Sequence, residues 1–133
     1  MIIGLGTDIV EIDRIESMIE RHDDAFLDRV FTPAERGYCG SKKLAAQHYA
    51  GRWAAKEAAM KALGTGFIPG VGWQDFEILR QQSGAPRLTL SGGAADRAHS
   101  LGIAEILVTM SHCRRYATAT AIAVGDTGIT PGS

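Results

Sequence analysis

The sequence predicts an α+β fold in which an antiparallel sheet packs against one long helix and several shorter helices. Three observations lead to this class. The chain opens with an apolar strand, an alanine-rich helix occupies its middle, and its second half holds two pairs of alternating strands joined by short turns. The predicted order is β-α-α-α-β-β-α-β-β, and strands joined directly as hairpins pair in antiparallel fashion. We find no repeat and no linker, which predicts one domain.

The first strand and the first helix follow from the apolar pattern. Residues 1–10, MIIGLGTDIV, are rich in Ile and Val, which favour strands. Residues 11–22 then place Ile12, Ile15 and Ile19 at helical spacing. We therefore predict a strand that leads directly into an amphipathic helix.

Two further helices are predicted from capping signals. In the segment TPAE (32–35), Thr32 can cap a helix whose Glu35 closes a capping box. Ser41 is predicted to cap the long alanine-rich helix, which ends near Leu63. The glycine-rich segment that follows is too punctuated for regular structure.

The second half of the chain alternates strands with one short helix. We predict strands 73–81 and 87–91 around a turn at 82–86, a helix over 93–102 that ends at a glycine, and strands 105–112 and 116–124. The last residues have no apolar pattern. Residues 1–125 are thus expected to form the domain and residues 126–133 a disordered tail.

Length, charge and cysteine content narrow the class of protein. The 133 residues are 45% hydrophobic and 22% charged, as is usual for globular proteins, and carry a formal net charge of −1. No nucleic-acid partner is expected, because such domains carry a basic excess. With no basic leader and no apolar run of membrane-spanning length, a cytoplasmic protein without a membrane partner is expected. Cys39 and Cys113 are expected to be free thiols.

Asp8 is the first residue that the fold class does not explain. It lies in the apolar first strand, before Ile9 and Val10, where an ionised carboxylate needs a partner. One interpretation is that the strand ends at Thr7 and that Asp8 caps the following helix. The other is that Asp8 is a metal ligand at the end of the strand.

Glu57 also has two interpretations. It lies in the long helix, where charged residues flank a ridge made by Trp53 and Met60. On a solvated face it would pair with Lys61 one turn later, which contributes only about 0.2–0.5 kcal/mol. Next to Asp8 it would instead complete the kind of carboxylate pair that binds Mg²⁺, with Lys61 facing the same phosphates.

The histidines give weaker signals. His112 closes a strand beside Ser111, but neighbouring strand residues point to opposite faces and no nucleophile-elbow pattern is present. A hydrolase pair is therefore not expected. The other histidines are predicted at exposed helical positions: His22, His48 and His99.

Four segments together resemble the holo-acyl-carrier-protein synthases, the small bacterial 4′-phosphopantetheinyl transferases. They are GLGTDIVEIDRI (4–15), RWAAKEAAMKALGTG (52–66), GAPRLTLSG (84–92) and VTMSHCRRYATA (108–119). They occur in the family's order and without a large insertion. Either an aspartate in the first strand or the AAKEA helix would be a weak signal alone, but their combination is specific.

The resemblance implies an activity and a metal. Enzymes of this family transfer 4′-phosphopantetheine from coenzyme A to a serine of an apo acyl carrier protein and release adenosine 3′,5′-bisphosphate. The family's motif implies that Asp8 and Glu57 bind Mg²⁺ and that Lys61 approaches the pyrophosphate as a catalytic residue. It also makes Arg52 and Lys43 contacts for the phosphates of coenzyme A.

Further contacts with coenzyme A are implied by the same match. Gly64, Gly66 and Pro86 correspond to positions that shape the coenzyme A cleft. Ser111 and His112 correspond to the family's residues near the adenosine end, where His112 would also assist catalysis. In that family the sites lie between the subunits of a homotrimer, so His112 is expected to act across an interface.

The first helix carries the surface that the resemblance assigns to the carrier protein. Acyl carrier proteins are strongly acidic, so their docking surface should be locally basic. Arg14 and Arg21, with Met18 between them, form such a stripe. Without the resemblance, arginines on a solvated helix face explain the stripe equally well.

Some alternatives stay open at this point. In phosphoryl transfer, the protein mainly positions the reacting groups and neutralises charge on the phosphate oxygens. The base for the serine is a metal-bound water, Glu57 or Glu35. A rival enzyme is a Mg²⁺-dependent pyrophosphohydrolase that uses the same carboxylates, and a rival without catalysis is a trimeric module that binds nucleotide or coenzyme A.

Overall fold

The computed structural model describes residues 1–64 and 69–126. Within them the chain forms five strands and five helices. In chain order these are β1 (Ile2–Glu11), α1 (Ile12–His22), α2 (Asp24–Val30), α3 (Pro33–Gly40), α4 (Ala45–Ala62), β2 (Phe76–Arg80), β3 (Pro86–Leu90), α5 (Gly92–Ser100), β4 (Ile103–His112) and β5 (Tyr116–Gly125). The predicted α+β class is confirmed. No helix in the described part of the chain is both long enough and apolar enough to cross a membrane.

All strand pairing is antiparallel, as predicted, but the strands form two sheets rather than one. β1, β5 and β4 make a three-stranded sheet in that order, and β2 and β3 make a separate hairpin. In the three-stranded sheet β5 is central, and the outer edges of β1 and β4 pair with no other strand of the described residues. The register places Asp8 opposite Ala119 on β5, and Ala119 opposite Met110 on β4.

The central helix α4 packs on one face of the three-stranded sheet through very small side chains. On β5, alternate residues point toward the helix, and all of them are buried alanines. We call the two rows of buried alanines the alanine seam: Ala117, Ala119, Ala121 and Ala123 on β5, and Ala54, Ala55, Ala58, Ala59 and Ala62 on α4. β1 approaches even more closely, because a Cβ added at Gly6 would overlap the carbonyl oxygen of Ala58.

The other face of this sheet is exposed and largely apolar. Leu5 on β1, Ile122 on β5 and Leu107 on β4 lie in one row across the three strands. Leu5 is 64% exposed and Leu107 is 50% exposed. Ile9, four residues after Leu5 on β1, lies on the same face and is also exposed.

The structure corrects one predicted helix boundary, the start of the long helix. Ser41 does not cap the long helix. Its hydroxyl donates to the carbonyl oxygen of Tyr38, at 2.8 Å, at the end of α3, and the long helix begins only at Ala45, without a side-chain cap. The end of α4 at Ala62, next to Leu63, agrees with the prediction. The Thr32–Glu35 capping box of α3 is confirmed.

Two other elements differ from the prediction. α2, which buries Phe26, Leu27 and Val30, was not predicted, because seven residues are too short to show a helical period. The strand predicted from residue 73 begins at Phe76, since Trp73–Asp75 form a turn of 3₁₀ helix. The predicted tail lies, except for residue 126, outside the described residues.

Candidate active site

A strand and a helix that are far apart in sequence bring two carboxylates together. Asp8 of β1 lies two residues after Gly6 and therefore shares the face that packs against α4. Glu57 of α4 is close enough to Asp8 for the two charges to interact. Burial raises the pKa of Glu57, and the nearby negative charge of Asp8 raises it further. We call this pair, together with Lys61, the carboxylate site.

Lys61 is the cation of the carboxylate site. Its Nζ donates to the carbonyl oxygen of Thr7 at 2.9 Å and lies 3.4 Å from Oδ1 of Asp8. The Asp8 side chain is 18% exposed and that of Lys61 is 54% exposed, so the lysine can meet a ligand from solvent. The structure thus brings together the three residues for which a shared role was predicted.

The interpretation of Asp8 as a helix cap is wrong. β1 continues through Asp8 to Glu11, and Glu11 occupies the N-cap position of α1 without a side-chain hydrogen bond. Asp8 consequently lies within the strand, three residues before its end. Antiparallel pairing with β5 holds its backbone in place: the hydroxyl of Thr118 donates to the carbonyl oxygen of Asp8 at 3.0 Å.

Glu35, a candidate base, is fully buried and already bonded. Its Oε1 accepts from the backbone N–H of Thr32 at 2.9 Å and from Nζ of Lys56 at 2.7 Å. Its Oε2 accepts from the backbone N–H of Ile78 at 2.9 Å. These contacts satisfy the carboxylate, so Glu35 is a structural residue.

A second group of predicted residues lines a cavity of about 210 Å³ beside β4. We call it the basic cavity, because its described lining includes two arginines and two histidines and no acidic residue. Arg52, Pro86, Ser111 and His112 were predicted; the other lining residues are Gln47, His48, Gly51, Arg80, Gly84 and Met110.

The residues of the basic cavity come from four different elements. Arg52 of α4 is 2% exposed, and its Nη1 donates to the carbonyl oxygen of His48 at 3.4 Å. Nε2 of His112 lies 2.8 Å from Nε2 of Gln47, so α4 holds the end of β4. Arg80, at the end of β2, was not predicted, because only the tertiary fold brings it to Arg52.

His48 departs from its predicted exposed position. It is half-buried, and its ring meets that of Tyr38 edge to face at 5.8 Å. Burial lowers the pKa of His48, and the positive charges of Arg52, Lys42 and Arg80 lower it further. The pKa shift shows that positive charge converges on this part of the molecule.

Two of the predicted residues, Lys43 and Gly64, do not line the basic cavity. Lys43 is exposed and lines a different cleft, of about 480 Å³, with Leu44 and Arg114; Gln47 borders both spaces. Gly64 ends α4 with φ of 71°, which favours glycine. Gly66 lies outside the described residues.

On α1, the arginines of the predicted docking stripe are exposed. Arg14 and Arg21 lie at the surface, and Met18 is half-buried against the core. The positive charge of Arg14 lowers the pKa of Glu57, against the larger effects of burial and Asp8. The stripe therefore begins beside the carboxylate site.

The structure contains no larger metal centre in the ranges 1–64 and 69–126. There, no group of three or more His, Cys, Asp or Glu side chains is arranged to hold a metal ion. Asp8 and Glu57 offer carboxylate oxygens only. This donor set suits Mg²⁺, which commonly takes one or two protein carboxylates and fills its other positions with water and phosphate oxygens.

Comparison with known sequences places the chain in a family. The model of the 4′-phosphopantetheinyl transferase superfamily matches residues 4–121. The holo-[acyl-carrier-protein] synthase of Koribacter versatilis is 49% identical over 122 residues, which cover 92% of this chain and 98% of that protein. The synthase of Moorella thermoacetica is 50% identical over 117 residues, 88% of this chain and 90% of that one.

Solved structures agree with the sequence match. The crystal structure of the Neisseria meningitidis holo-[acyl-carrier-protein] synthase has a TM-score of 0.85 and 31% identity, covering 93% of this chain and 99% of that one. The Helicobacter pylori synthase in complex with coenzyme A has a TM-score of 0.80 and 32% identity, covering 90% and 99%. The chain therefore belongs to the 4′-phosphopantetheinyl transferase superfamily.

Proposed function

We propose that this protein transfers 4′-phosphopantetheine from coenzyme A to a serine of an apo acyl carrier protein, depends on Mg²⁺, and releases adenosine 3′,5′-bisphosphate. One observation carries the proposal: Asp8 and Glu57, from a strand and a helix far apart in sequence, are close enough for their charges to interact, and Lys61 lies 3.4 Å from Asp8. The names of the relatives and the coenzyme A bound to the Helicobacter pylori synthase support the same reaction.

Asp8 and Glu57 would hold the metal. Their negative charges act on one another, so a cation between them relieves the repulsion. Bound there, Mg²⁺ would supply Lewis-acid polarisation and charge neutralisation at the pyrophosphate of coenzyme A. The protein's task is then to fix the two carboxylates, which the close contact of β1 with α4 does.

Lys61 and Glu57 would serve the proton and charge changes of the transfer. When the serine oxygen bonds to phosphorus, the phosphorus–oxygen bond to adenosine 3′,5′-bisphosphate breaks and negative charge moves to the leaving phosphate. The exposed Nζ of Lys61 can neutralise that charge. Because Glu35 is fully bonded inside the protein, Glu57 is the remaining side-chain candidate for the base.

The basic cavity would receive the nucleotide end of coenzyme A. Its arginines and histidines suit phosphate, and guanidinium groups bind phosphate through paired N–H donors. Pro86 and Gly84 form an uncharged part of the wall. Ser111 points to the opposite side of β4 from His112, so only one of the two can face α4.

The two halves of this proposed site lie on opposite sides of α4. Arg52 and Lys61 are about 180° apart around the helix. Asp8 and Met110 share a row of the sheet but are separated by β5, which puts about 10 Å between their strands. A single chain therefore presents an incomplete site at each of its two free edges.

A homotrimer with sites between subunits resolves this separation. In a closed ring, the β1 edge of one copy meets the β4 edge of the next, so each site receives one half from each of two chains. The exposed apolar face that contains Leu5, Ile9 and Leu107 would be buried in such a ring.

The basic stripe of α1 would bind the acidic carrier protein. Arg14 and Arg21 are exposed, and Arg14 lies close enough to Glu57 to affect its charge, so a docked carrier would present its serine near the carboxylate site. We further propose, from the family resemblance, that the reaction takes place in the cytoplasm and prepares carrier proteins for fatty acid biosynthesis.

The proposal is tested by the intact mass of an apo acyl carrier protein after incubation with this protein, coenzyme A and Mg²⁺. We expect the mass to rise by one phosphopantetheine group, and EDTA to prevent the rise. Asp8→Asn and Glu57→Gln should each abolish the reaction while the circular dichroism spectrum stays unchanged. Full activity in either variant would contradict the assignment of the metal ligands.

Other outcomes identify the rival functions. Consumption of coenzyme A without any gain of carrier mass would indicate a pyrophosphohydrolase. Tight binding of coenzyme A without turnover, over a panel of fatty-acid and polyketide carrier proteins, would indicate a binding module.

A further inference from the structure

The ring of Tyr38, at the carboxyl end of α3, is surrounded by cations. The Arg52 guanidinium carbon lies 4.5 Å from the ring centroid and Nζ of Lys42 lies 4.6 Å from it. The guanidinium carbon of Arg80 lies at 6.0 Å. All three distances are within the range of cation–π attraction. Tyr38 itself does not line the basic cavity, although Arg52 and Arg80 do.

Arg52 is held in a way that leaves one edge of its guanidinium free. Nη1 is used by the carbonyl oxygen of His48. Nε and Nη2 are buried, and within residues 1–64 and 69–126 neither has a hydrogen-bond partner. Buried N–H groups are rarely left without an acceptor, and these two form the side-by-side pair of donors that binds two oxygens of one phosphate.

We propose that Tyr38 is a positioning residue: its ring fixes the guanidinium of Arg52 so that the free Nε–Nη2 edge meets a phosphate in the basic cavity. This inference rests on the proposed function only for the identity of the ligand, a phosphate of coenzyme A. The positioning itself follows from the contacts of Tyr38 and Arg52.

An aromatic ring suits this task better than an acidic side chain would. An aspartate or glutamate next to Arg52 would compete with the phosphate for the same donors. An aromatic face attracts the guanidinium without occupying any N–H group, since the attraction comes from the ring's quadrupole. It also offsets the mutual repulsion of Arg52, Lys42 and Arg80, whose charges meet at one place.

The test compares Tyr38→Leu, which removes the ring, with the matched control Tyr38→Phe, which keeps it. The affinities for coenzyme A, dephospho-coenzyme A and inorganic pyrophosphate are measured by calorimetry. We expect Tyr38→Leu to weaken coenzyme A binding about tenfold and Tyr38→Phe to change it less than about twofold. The KM for the carrier protein should not change. If leucine prevents folding, Tyr38→Met takes its place.

A double-mutant cycle separates positioning from a general loss of structure. In an Arg52→Met background, removal of the Tyr38 ring should have little further effect, because its target is gone. Additive losses, or wild-type coenzyme A affinity in Tyr38→Leu, overturn the inference. A loss confined to coenzyme A, with dephospho-coenzyme A unaffected, assigns the 3′-phosphate as the ligand, and an equal loss for both assigns the pyrophosphate.

The two proposals fail in different ways. If the protein binds pyrophosphate in a manner that depends on the Tyr38 ring but transfers nothing to any carrier protein, the proposed function is wrong and the positioning inference stands. If transfer occurs and the ring has no effect on binding, the reverse holds. Absence of binding to all three phosphate compounds overturns the inference.

Discussion

Lys56 and Glu35 form an ion pair from which solvent is fully excluded: Nζ lies 2.7 Å from Oε1, and both side chains are 0% exposed. The pair ties α4 to α3. Nζ also donates to the carbonyl oxygens of Trp73, at 3.1 Å, and Phe76, and the other carboxylate oxygen accepts from the backbone of Ile78. Three segments that meet around α4 are thus joined through two side chains.

Substitution of Lys56 should therefore lower the stability of the folded protein. Lys56→Met removes the only cation bonded to Glu35 among the described residues and leaves a buried, unpaired carboxylate, so we expect the free energy of unfolding to fall by about 3–5 kcal/mol. Urea denaturation followed by circular dichroism measures the loss. A second substitution, Glu35→Leu, should restore part of the stability, because it removes the stranded charge.

The matched control is Lys61→Met, at the second of the two lysines on α4. Its side chain is 54% exposed, so the free energy of unfolding should change by less than about 0.5 kcal/mol. Transfer to the carrier protein should nevertheless be lost, because Lys61 belongs to the carboxylate site. Equal loss of stability in the two variants would contradict the contrast drawn between them.

The proposed homotrimer, in which each site is shared between two subunits, predicts complementation. Glu57→Gln damages the half at the β1 edge, and Arg52→Met damages the half at the β4 edge, so each homotrimer should be inactive. When the two variants are mixed in equal amounts and allowed to exchange subunits, about a quarter of the sites receive two intact halves. We expect transfer activity to return to about that fraction of the wild type. Mixed trimers that exchange subunits and stay inactive would refute shared sites.

Docking of the carrier protein on α1 predicts a selective change of KM. Arg21→Glu reverses a charge on the exposed stripe, so we expect the KM for the carrier protein to rise about tenfold while the KM for coenzyme A changes less than twofold. Arg97→Glu, an equally exposed reversal on α5, serves as the control and should affect neither. Steady-state kinetics at low salt give both constants, and parallel increases in both would argue against docking at α1.

The thiol of Cys39 makes stability depend on pH in the alkaline range. Burial raises its pKa from 9.0 to about 11, against the opposing charge of Arg52. The folded protein therefore holds this proton more tightly than the unfolded chain, and the stabilisation is present below the unfolded pKa and lost as the pH rises through the folded pKa.

We expect the free energy of unfolding to fall between about pH 8.5 and about pH 10.5, by about 1–3 kcal/mol more in the wild type than in Cys39→Ala. Urea denaturation at a series of pH values measures both proteins. Parallel pH profiles would show that the buried thiol does not contribute. Cys113, which is exposed, provides a check on accessibility, since only it should react with a thiol reagent at neutral pH.

Two glycines predict opposite effects of the same substitution. Gly6→Ala places a methyl group against the carbonyl oxygen of Ala58, so β1 must move away from α4, and we expect a loss of about 1–3 kcal/mol or more. Gly37→Ala places a methyl group in open space inside α3 and should stabilise the protein by about 0.5–1 kcal/mol. Thermal denaturation of the two variants compares their stabilities directly. A change of stability in the same direction for both would be inconsistent with the close contact at Gly6.

Most elements of the fold could be predicted from local patterns, whereas the pairing of Asp8 with Glu57 was implied only by the family resemblance. Asp8 stood out because an acid in an apolar strand is costly, and Glu57 because a motif joined it to Lys61 within one helix. The capping role of Glu35 was also visible, since its partner in the capping box, Thr32, lies three residues earlier.

The second role of Glu35 could not be predicted, because its partners Lys56 and Ile78 come from distant parts of the chain. For the same reason, the sequence did not predict that three cations surround the ring of Tyr38 or that Arg80 lines the basic cavity. Helix α2 was missed because its few residues carry no full helical repeat, and it is held instead by the burial of Phe26 and its neighbours. Contacts between elements, rather than patterns within them, account for these gaps.

The alanine seam has a consequence for how this protein can change over time. Only glycine is smaller than alanine, so almost every substitution in the alanine seam enlarges the side chain. Each added methyl group would push α4 away from the sheet and, with it, Glu57 away from Asp8. A larger residue at these positions should therefore alter the spacing of the two carboxylates before it prevents folding.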